Sequence, residues 1–194
     1  DLSTAKNYRM DGGDCYRWED PFDGPQLTVF DVENLTIRGK DGKDANVVSA
    51  VPRYAQVLAF DGCTNLTIRD LTAGHTKEPG YCIGGVLQFQ NCGSVTVENT
   101  GLFGCGTIGV DAQSCRNILI RNNDIYECSY GGISLYRVDG AGMEGNSFRA
   151  LGDEYGEGFV YSIDSGSRNI LFEQDPVQPG SELRTSHYPL YPTY

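Results

Sequence analysis

"GCGTIGVDAQSCRNILIRNNDIYECSYGGISLY" (Gly104–Tyr136) states one pattern twice. Cys105 and Cys128 lie 23 residues apart, and each is followed five residues later by an apolar side chain, Val110 or Ile133. Between them runs RNILIRN (Arg116–Asn122), and relatives of that heptad recur on both sides. ENLTIRG (Glu33–Gly39), TNLTIRD (Thr64–Asp70) and GSVTVEN (Gly93–Asn99) precede it; DGAGMEG (Asp139–Gly145) and RNILFEQ (Arg168–Gln174) follow. Their first apolar residues, Leu35, Leu66, Val95, Ile118, Ala141 and Ile170, are separated by 31, 29, 23, 23 and 29 residues. Within each copy apolar and polar residues alternate, the period-2 signature of a strand with one buried face.

A second alternating strand precedes most copies by eight residues, with inward pairs Leu58/Phe60, Leu87/Phe89, Val110/Ala112 and Ile133/Leu135. Tyr161/Ile163 fits with one extra residue, and a third inward position falls at Leu102, Ile125 and Phe148. Short strands in circuits of roughly two dozen residues, with no helical stretch between, leave few architectures. A hairpin meander needs Asn-Gly or Asp-Gly at its reversals. Leucine-rich repeats match the length, but their Leu-x-x-Leu-x-Leu consensus is absent. A coil whose circuits stack in register places like residue above like.

The strand–turn pattern resembles the right-handed parallel β-helix superfamily, the pectate-lyase-like fold, across roughly Leu27–Phe172. The expected fold is therefore all-β: a single right-handed parallel β-helix of about six rungs. Residues 27–173 form the coil, 1–26 a non-repeat segment capping its first rung, and 174–194 a Pro-rich tail packed on the coil or on a neighbour.

Stacking accounts for two further features. Cys63, Cys92 and Cys115 each stand immediately before a copy of the strand heptad, where Val32, Val138 and Ser167 stand in other rungs. Small soft side chains repeated at ~4.8 Å line an interior, and with seven cysteines in all, at least one is unpaired within the chain. Asn34, Asn65, Asn117 and Asn169 precede the heptad's strand core, and Asn123 and Asn146 follow it, where their amides can bond the backbone of the next rung. The tripeptides Asn34-Leu35-Thr36 and Asn65-Leu66-Thr67 match the glycosylation acceptor, but the repeat itself generates them.

A formal charge of −11 argues against nucleic acid and anionic membrane as partners, and no apolar run reaches the length of a membrane span. The polar chemistry lies elsewhere. Outward positions of the second strand form two columns: Ala59, Gln88, Asp111, Ser134, Ser162, and Asp61, Gln90, Gln113, Tyr136, Asp164. Amides, hydroxyls and an aromatic ring suit a sugar, which needs hydrogen bonds and a flat apolar face. The extra residues of the long circuits fall at one phase, in Gly74–Gly85 and Ala150–Gly158, and form two walls about 14 Å apart with Thr107 and Tyr130 on the floor.

The expected ligand is thus a carbohydrate, held by Gln88, Gln90, Asp111, Gln113, Tyr130, Ser134 and Tyr136. Candidate catalytic groups are His75, Lys77, Glu78, Asp111 and Glu154. Asp111 and Asp61 are two rungs, at least ~10 Å, apart, beyond the ~5–9.5 Å of glycosidase carboxylate pairs. A working pair therefore needs a loop carboxylate to fold over the sheet. No cofactor is expected; calcium is the one ion that Asp153, Glu154 and Glu157 would suit, and they lack calcium-loop spacing.

Superfamily enzymes process polysaccharides with a Lys or Arg base and calcium, or with Asp pairs, and neither set is complete here. Gly74-His75-Thr76 resembles the Gly-His-Gly of polygalacturonase-like hydrolases, whose Asn-Thr-Asp and Arg-Ile-Lys motifs are missing. The resemblance implies an extracellular or cell-surface location. Two functions follow: recognition, with or without processing, of a polysaccharide, or a non-catalytic structural or adhesive module.

Overall fold

A computed structural model of the chain describes residues 8–11, 26–45, 47–49, 56–75, 84–104, 108–153 and 156–173. The chain enters with β1 (Tyr8–Asp11). Five circuits of three strands follow. They are β2 (Gln26–Phe30), β3 (Glu33–Arg38), β4 (Val47–Ser49); and β5 (Leu58–Asp61), β6 (Thr64–Arg69), β7 (Thr72–Gly74). The third is β8 (Leu87–Gln90), β9 (Gly93–Glu98), β10 (Gly101–Phe103). Next come β11 (Ile108–Gln113), β12 (Arg116–Arg121), β13 (Asp124–Tyr126), and then β14 (Gly131–Tyr136), β15 (Asp139–Glu144), β16 (Ser147–Arg149). After a small ribbon, β17 (Gly152–Asp153) with β18 (Gly156–Glu157), a sixth circuit contributes β19 (Phe159–Ile163) and β20 (Arg168–Glu173).

Equivalent strands of successive circuits pair in parallel, giving three sheets ordered β2-β5-β8-β11-β14-β19, β3-β6-β9-β12-β15-β20 and β4-β7-β10-β13-β16. The register follows the sequence repeat. Leu35 pairs with Leu66, Leu66 with Val95, Val95 with Ile118, Ile118 with Ala141, and Ala141 with Ile170. Tyr161 pairs with Ile133 despite its extra residue. The third inward column runs through Leu102, Ile125 and Phe148, and also takes in Ala73 and Val48. The inward residues of the middle rungs are buried in a single core, worth ~1.5–3 kcal/mol for a large aliphatic or aromatic side chain, and Leu35, Val48 and Ile170 pack against it partly buried. Phe60 and Phe89 stack within it, ring centroids 5.4 Å apart.

The corners are made by residues in the left-handed region. Asn34, Asn65, Asn117 and Asn169 hold φ between 52° and 59°, and Ser94 and Gly140 take the same place in their circuits. Asn tolerates that conformation and bonds its neighbours with the amide: Asn65 Nδ2 donates to Asn34 Oδ1 (2.6 Å), and Asn169 Nδ2 to Asp139 Oδ1 (2.8 Å). A second, buried ladder stands at the next corner. Asn123 Oδ1 accepts from the Thr100 N–H (3.0 Å) and hydroxyl (2.8 Å), while Asn123 Nδ2 donates to the Val97 carbonyl (3.0 Å) and to Asn146 Oδ1 (2.9 Å).

The cysteine column is an interior ladder, as its spacing predicts. Cys63, Cys92 and Cys115 are buried and free, as is Cys128. The Cys92 N–H donates to Cys115 Sγ (3.3 Å), the place where the Val138 N–H donates to Ser167 Oγ (2.9 Å). A side-chain hydrogen bond to Cys115, together with burial, pushes the Cys92 thiol up to about 12, and burial, with the Glu127 charge, pushes Cys128 up to about 12. Cys105, of the second cysteine column, lies outside the described residues.

At one end of the coil β1 runs antiparallel along β2, pairing Tyr8 with Val29 and Asp11 with Gln26. The rest of segment 1–25 and the tail 174–194 lie outside the described residues. Among the described residues, no helix is long and apolar enough to cross a membrane.

Candidate functional site

The sheet β5-β8-β11-β14-β19 lines up the polar columns read from the sequence. Ala59, Gln88, Asp111, Ser134 and Ser162 are register partners, and so are Asp61, Gln90, Gln113 and Tyr136. The columns extend one rung further, to Thr28 and Phe30. Neither column contains a lysine or an arginine.

Depth divides these residues. Gln88, Gln90, Gln113, Ser134 and Tyr136 are half-buried. Asp111 stands on the expected column but is only 4% exposed, which corrects the expectation that it faces a ligand directly. Its Oδ2 accepts a hydrogen bond from Gln113 Nε2 at 2.9 Å. That contact orients the Gln113 amide, so Asp111 acts on the surface through its neighbour.

The other carboxylates of the strip are also engaged. Asp61 Oδ1 accepts from Asn91 Nδ2 (2.9 Å). Asp164 Oδ1 accepts from the Arg137 N–H (2.8 Å) and the Ser167 hydroxyl (2.6 Å), while its Oδ2 accepts from the Gly166 N–H (2.9 Å). These are turn-stabilising bonds between or within rungs. A general acid or base must offer an oxygen to the substrate, and here the oxygens serve the coil.

Two aromatic groups give the strip its apolar faces. Arg137 places its guanidinium 5.0 Å from the Tyr136 ring centroid. Tyr130, 38% exposed at the corner before β14, meets the Phe159 ring edge-on with centroids 5.4 Å apart. Glycine makes that approach feasible: a Cβ on Gly131 would sit 2.4 Å from the Phe159 ring.

His75 is not on a wall. It is 0% exposed, and its backbone N–H donates to the Phe103 carbonyl at 2.9 Å, so it is packed into the corner instead of presented to solvent. Lys77, Glu78, Glu154 and Thr107 lie outside the described residues. Among the described residues, no group of three or more His, Cys, Asp or Glu side chains is placed to hold a metal ion.

Beside the corner, the structure shows a stack that the sequence reading missed. Phe103 and Tyr126 lie with centroids 5.5 Å apart and planes within 12°. The Arg149 guanidinium sits 3.8 Å over Tyr126 and is anchored to Asp124 at 3.1 Å. Burial pushes the Tyr126 phenol upward, and Asp124 does the same for Arg149. Both faces of Tyr126 are covered, so the stack stiffens the sheet and offers no ring to a sugar. The signal was available: Phe103, Tyr126 and Arg149 each follow the third inward position by one residue.

With this geometry in place, comparison with known proteins is informative about architecture. Residues 84–174 match the family model described as a right handed beta helix region. This chain is a right-handed parallel β-helix. A crystal structure from Parabacteroides merdae, described as that of a candidate glycosyl hydrolase, shares the β-helix course with a TM-score of 0.55. That similarity covers 76% of this chain and 77% of the other, at 14% identity, a level that speaks to the fold alone. No curated protein matches the chain.

Proposed function

We propose that the strip bounded by Gln88, Gln113, Ser134, Tyr136 and Tyr130 binds a neutral polysaccharide lying along the axis of the coil. The observation that carries this reading is the composition of the two columns: amides, hydroxyls and an aromatic ring, with no cation, and with each carboxylate bonded to a neighbour. A polymer laid along the axis meets an equivalent set of groups every ~4.8 Å, and sugar hydroxyls exchange hydrogen bonds with amides and hydroxyls without a charge partner. A uronate polymer would find no cation in the columns and a chain of formal charge −11 repelling it. The β-helix neighbour described as a candidate glycosyl hydrolase supports the carbohydrate class. Such a ligand would place the chain outside the cell or at its surface.

The engagement of Asp61, Asp111 and Asp164 favours binding without turnover. The same observation supports the alternative, a structural or adhesive module whose rungs provide length and rigidity. A glycan array holding neutral and uronate polymers, followed by a turnover assay on each hit, separates the readings. The proposal expects neutral hits weakened about tenfold by Tyr136→Ala, as a stacked ring is worth ~1 kcal/mol or more beyond its area, and no product release. Binding confined to uronates, or neutral binding unchanged in both Tyr136→Ala and Gln113→Ala, would refute it. No binding at all would favour the structural module.

A further inference from the structure

The two ends of the coil differ. At the first rung, β1 lies along β2, so a strand already fills the position that a preceding rung would take in that sheet. At the last rung, β20 is the terminal strand of its sheet among the described residues, and it carries two of the exposed large hydrophobic residues, Leu171 at 65% and Phe172 at 39%. One rung inward, Met143, the register partner of Phe172, is buried. The strand itself, RNILFE, contains neither proline nor lysine, the usual protections of an edge against pairing.

We propose that this edge pairs two copies of the chain, β20 against β20, antiparallel about a twofold axis through Leu171. Backbone geometry and sequence agree on the register. The Gly145 N–H donates to the Glu173 carbonyl at 3.2 Å, so by alternation back from Glu173 the N–H and C=O groups of Leu171 also turn toward β15, and those of Ile170 and Phe172 face the open edge. Centring the pair on Leu171 sets these two positions opposite one another as hydrogen-bonded pairs, Ile170 of one copy against Phe172 of the other, while Leu171 faces Leu171 between them and Asn169 faces Glu173. Ile170 then meets Phe172 of the second copy on the interior side, and the apolar columns run on across the junction. Arg168 of each copy, already ion-paired with its own Asp139 at 2.6 Å, comes within a residue of Glu173 of the other, so unlike charges meet at both ends of the strand. A head-to-tail stack would instead drive β19 of one copy into the position held by β1 of the next. The twofold arrangement avoids this and closes on itself, as isologous interfaces do.

Sedimentation of the full chain across concentrations tests the proposal. A species of twice the 21.2 kDa chain mass is expected, reverting to the single mass in Leu171→Lys with an unchanged circular dichroism spectrum and melting temperature. Leu171 points outward, so this substitution spares the core. In parallel, Leu171→Cys treated with a short bismaleimide should yield a covalent dimer above the wild-type background, while Thr36→Cys, at the register-equivalent place on β3, should not. A single mass at every concentration, or a dimer indifferent to Leu171→Lys, overturns the proposal. So does cross-linking that requires Leu171→Cys and Thr36→Cys chains together, which would signify head-to-tail stacking. Dimerisation seen only after removal of residues 174–194 also overturns it, because those residues would then be the occupant of the end.

Discussion

Replacing Asn123 with alanine tests whether rungs are bound to one another by side chains as well as by their strands. Asn123 is 2% exposed and makes four hydrogen bonds through its amide, to Thr100 N–H, Thr100 hydroxyl, the Val97 carbonyl and Asn146 Oδ1. Truncation leaves the Thr100 N–H without its acceptor inside the coil, while Asn146 Oδ1 keeps the Asn123 N–H at 3.1 Å. At ~1–3 kcal/mol for each buried group left unsatisfied, the orphaned N–H and its weakened neighbours amount to about 3–4 kcal/mol. Urea unfolding followed by circular dichroism should show the midpoint falling with an unchanged slope. Asn65→Gly is the control: it keeps the left-handed corner and removes only an exposed bond, so it should cost under ~1 kcal/mol. If Asn123→Ala costs no more than Asn65→Gly, the buried amides are not what ties the rungs.

Three further outcomes are expected. Arg168, and then Asn169, hold the Asp139 carboxyl down from 3.8 to about 2; the contribution of this group to stability is present above its unfolded value and is lost as pH falls through about 2. An NMR titration should find Asp139 near 2 and show it rising toward 3.8 in Arg168→Ala. Cys63, Cys92, Cys115 and Cys128 should resist a thiol reagent in the native protein and react on unfolding, because they are buried and free; peptide mapping that finds any of them labelled natively would contradict the interior ladder. Gly74→Ala places a Cβ 2.2 Å from the Phe103 ring and should destabilise by ~1–3 kcal/mol, a loss that largely disappears when Gly74→Ala is measured in a Phe103→Ala background.

The fold was legible because a parallel coil repeats one constraint at every rung. Leu35, Leu66, Val95 and Ile118 could be aligned by eye since each must occupy the same interior place, and even the extra residue before Tyr161 did not shift its pairing with Ile133. Depth on the outward face was not legible in the same way. Alternation says that Asp111 points out of the coil; whether it meets solvent depends on neighbours such as Gln113 that fold over it. His75 was read as a candidate catalytic group on a wall for the same reason, its burial being fixed by how the corner next to Phe103 and Gly104 packs. The Phe103–Tyr126–Arg149 stack is not marked by the apolar alternation, because its members stand one residue after the inward positions Leu102, Ile125 and Phe148 and one of them is a cation. Site chemistry was harder still: carboxylates at Asp61 and Asp164 look available in a sequence, and only the structure shows them bonded to Asn91, Ser167 and Gly166.

The most direct measurement of the binding strip is affinity as a function of ligand length. Neutral oligosaccharides of increasing length should bind progressively more tightly until they span the rungs from Gln88 to Ser162, with amide shift changes in an NMR spectrum running along Gln88, Gln113, Ser134 and Tyr136. Affinity that is flat with length, or shift changes confined to the charged face of Arg121 and Glu144, would contradict a ligand aligned with the coil.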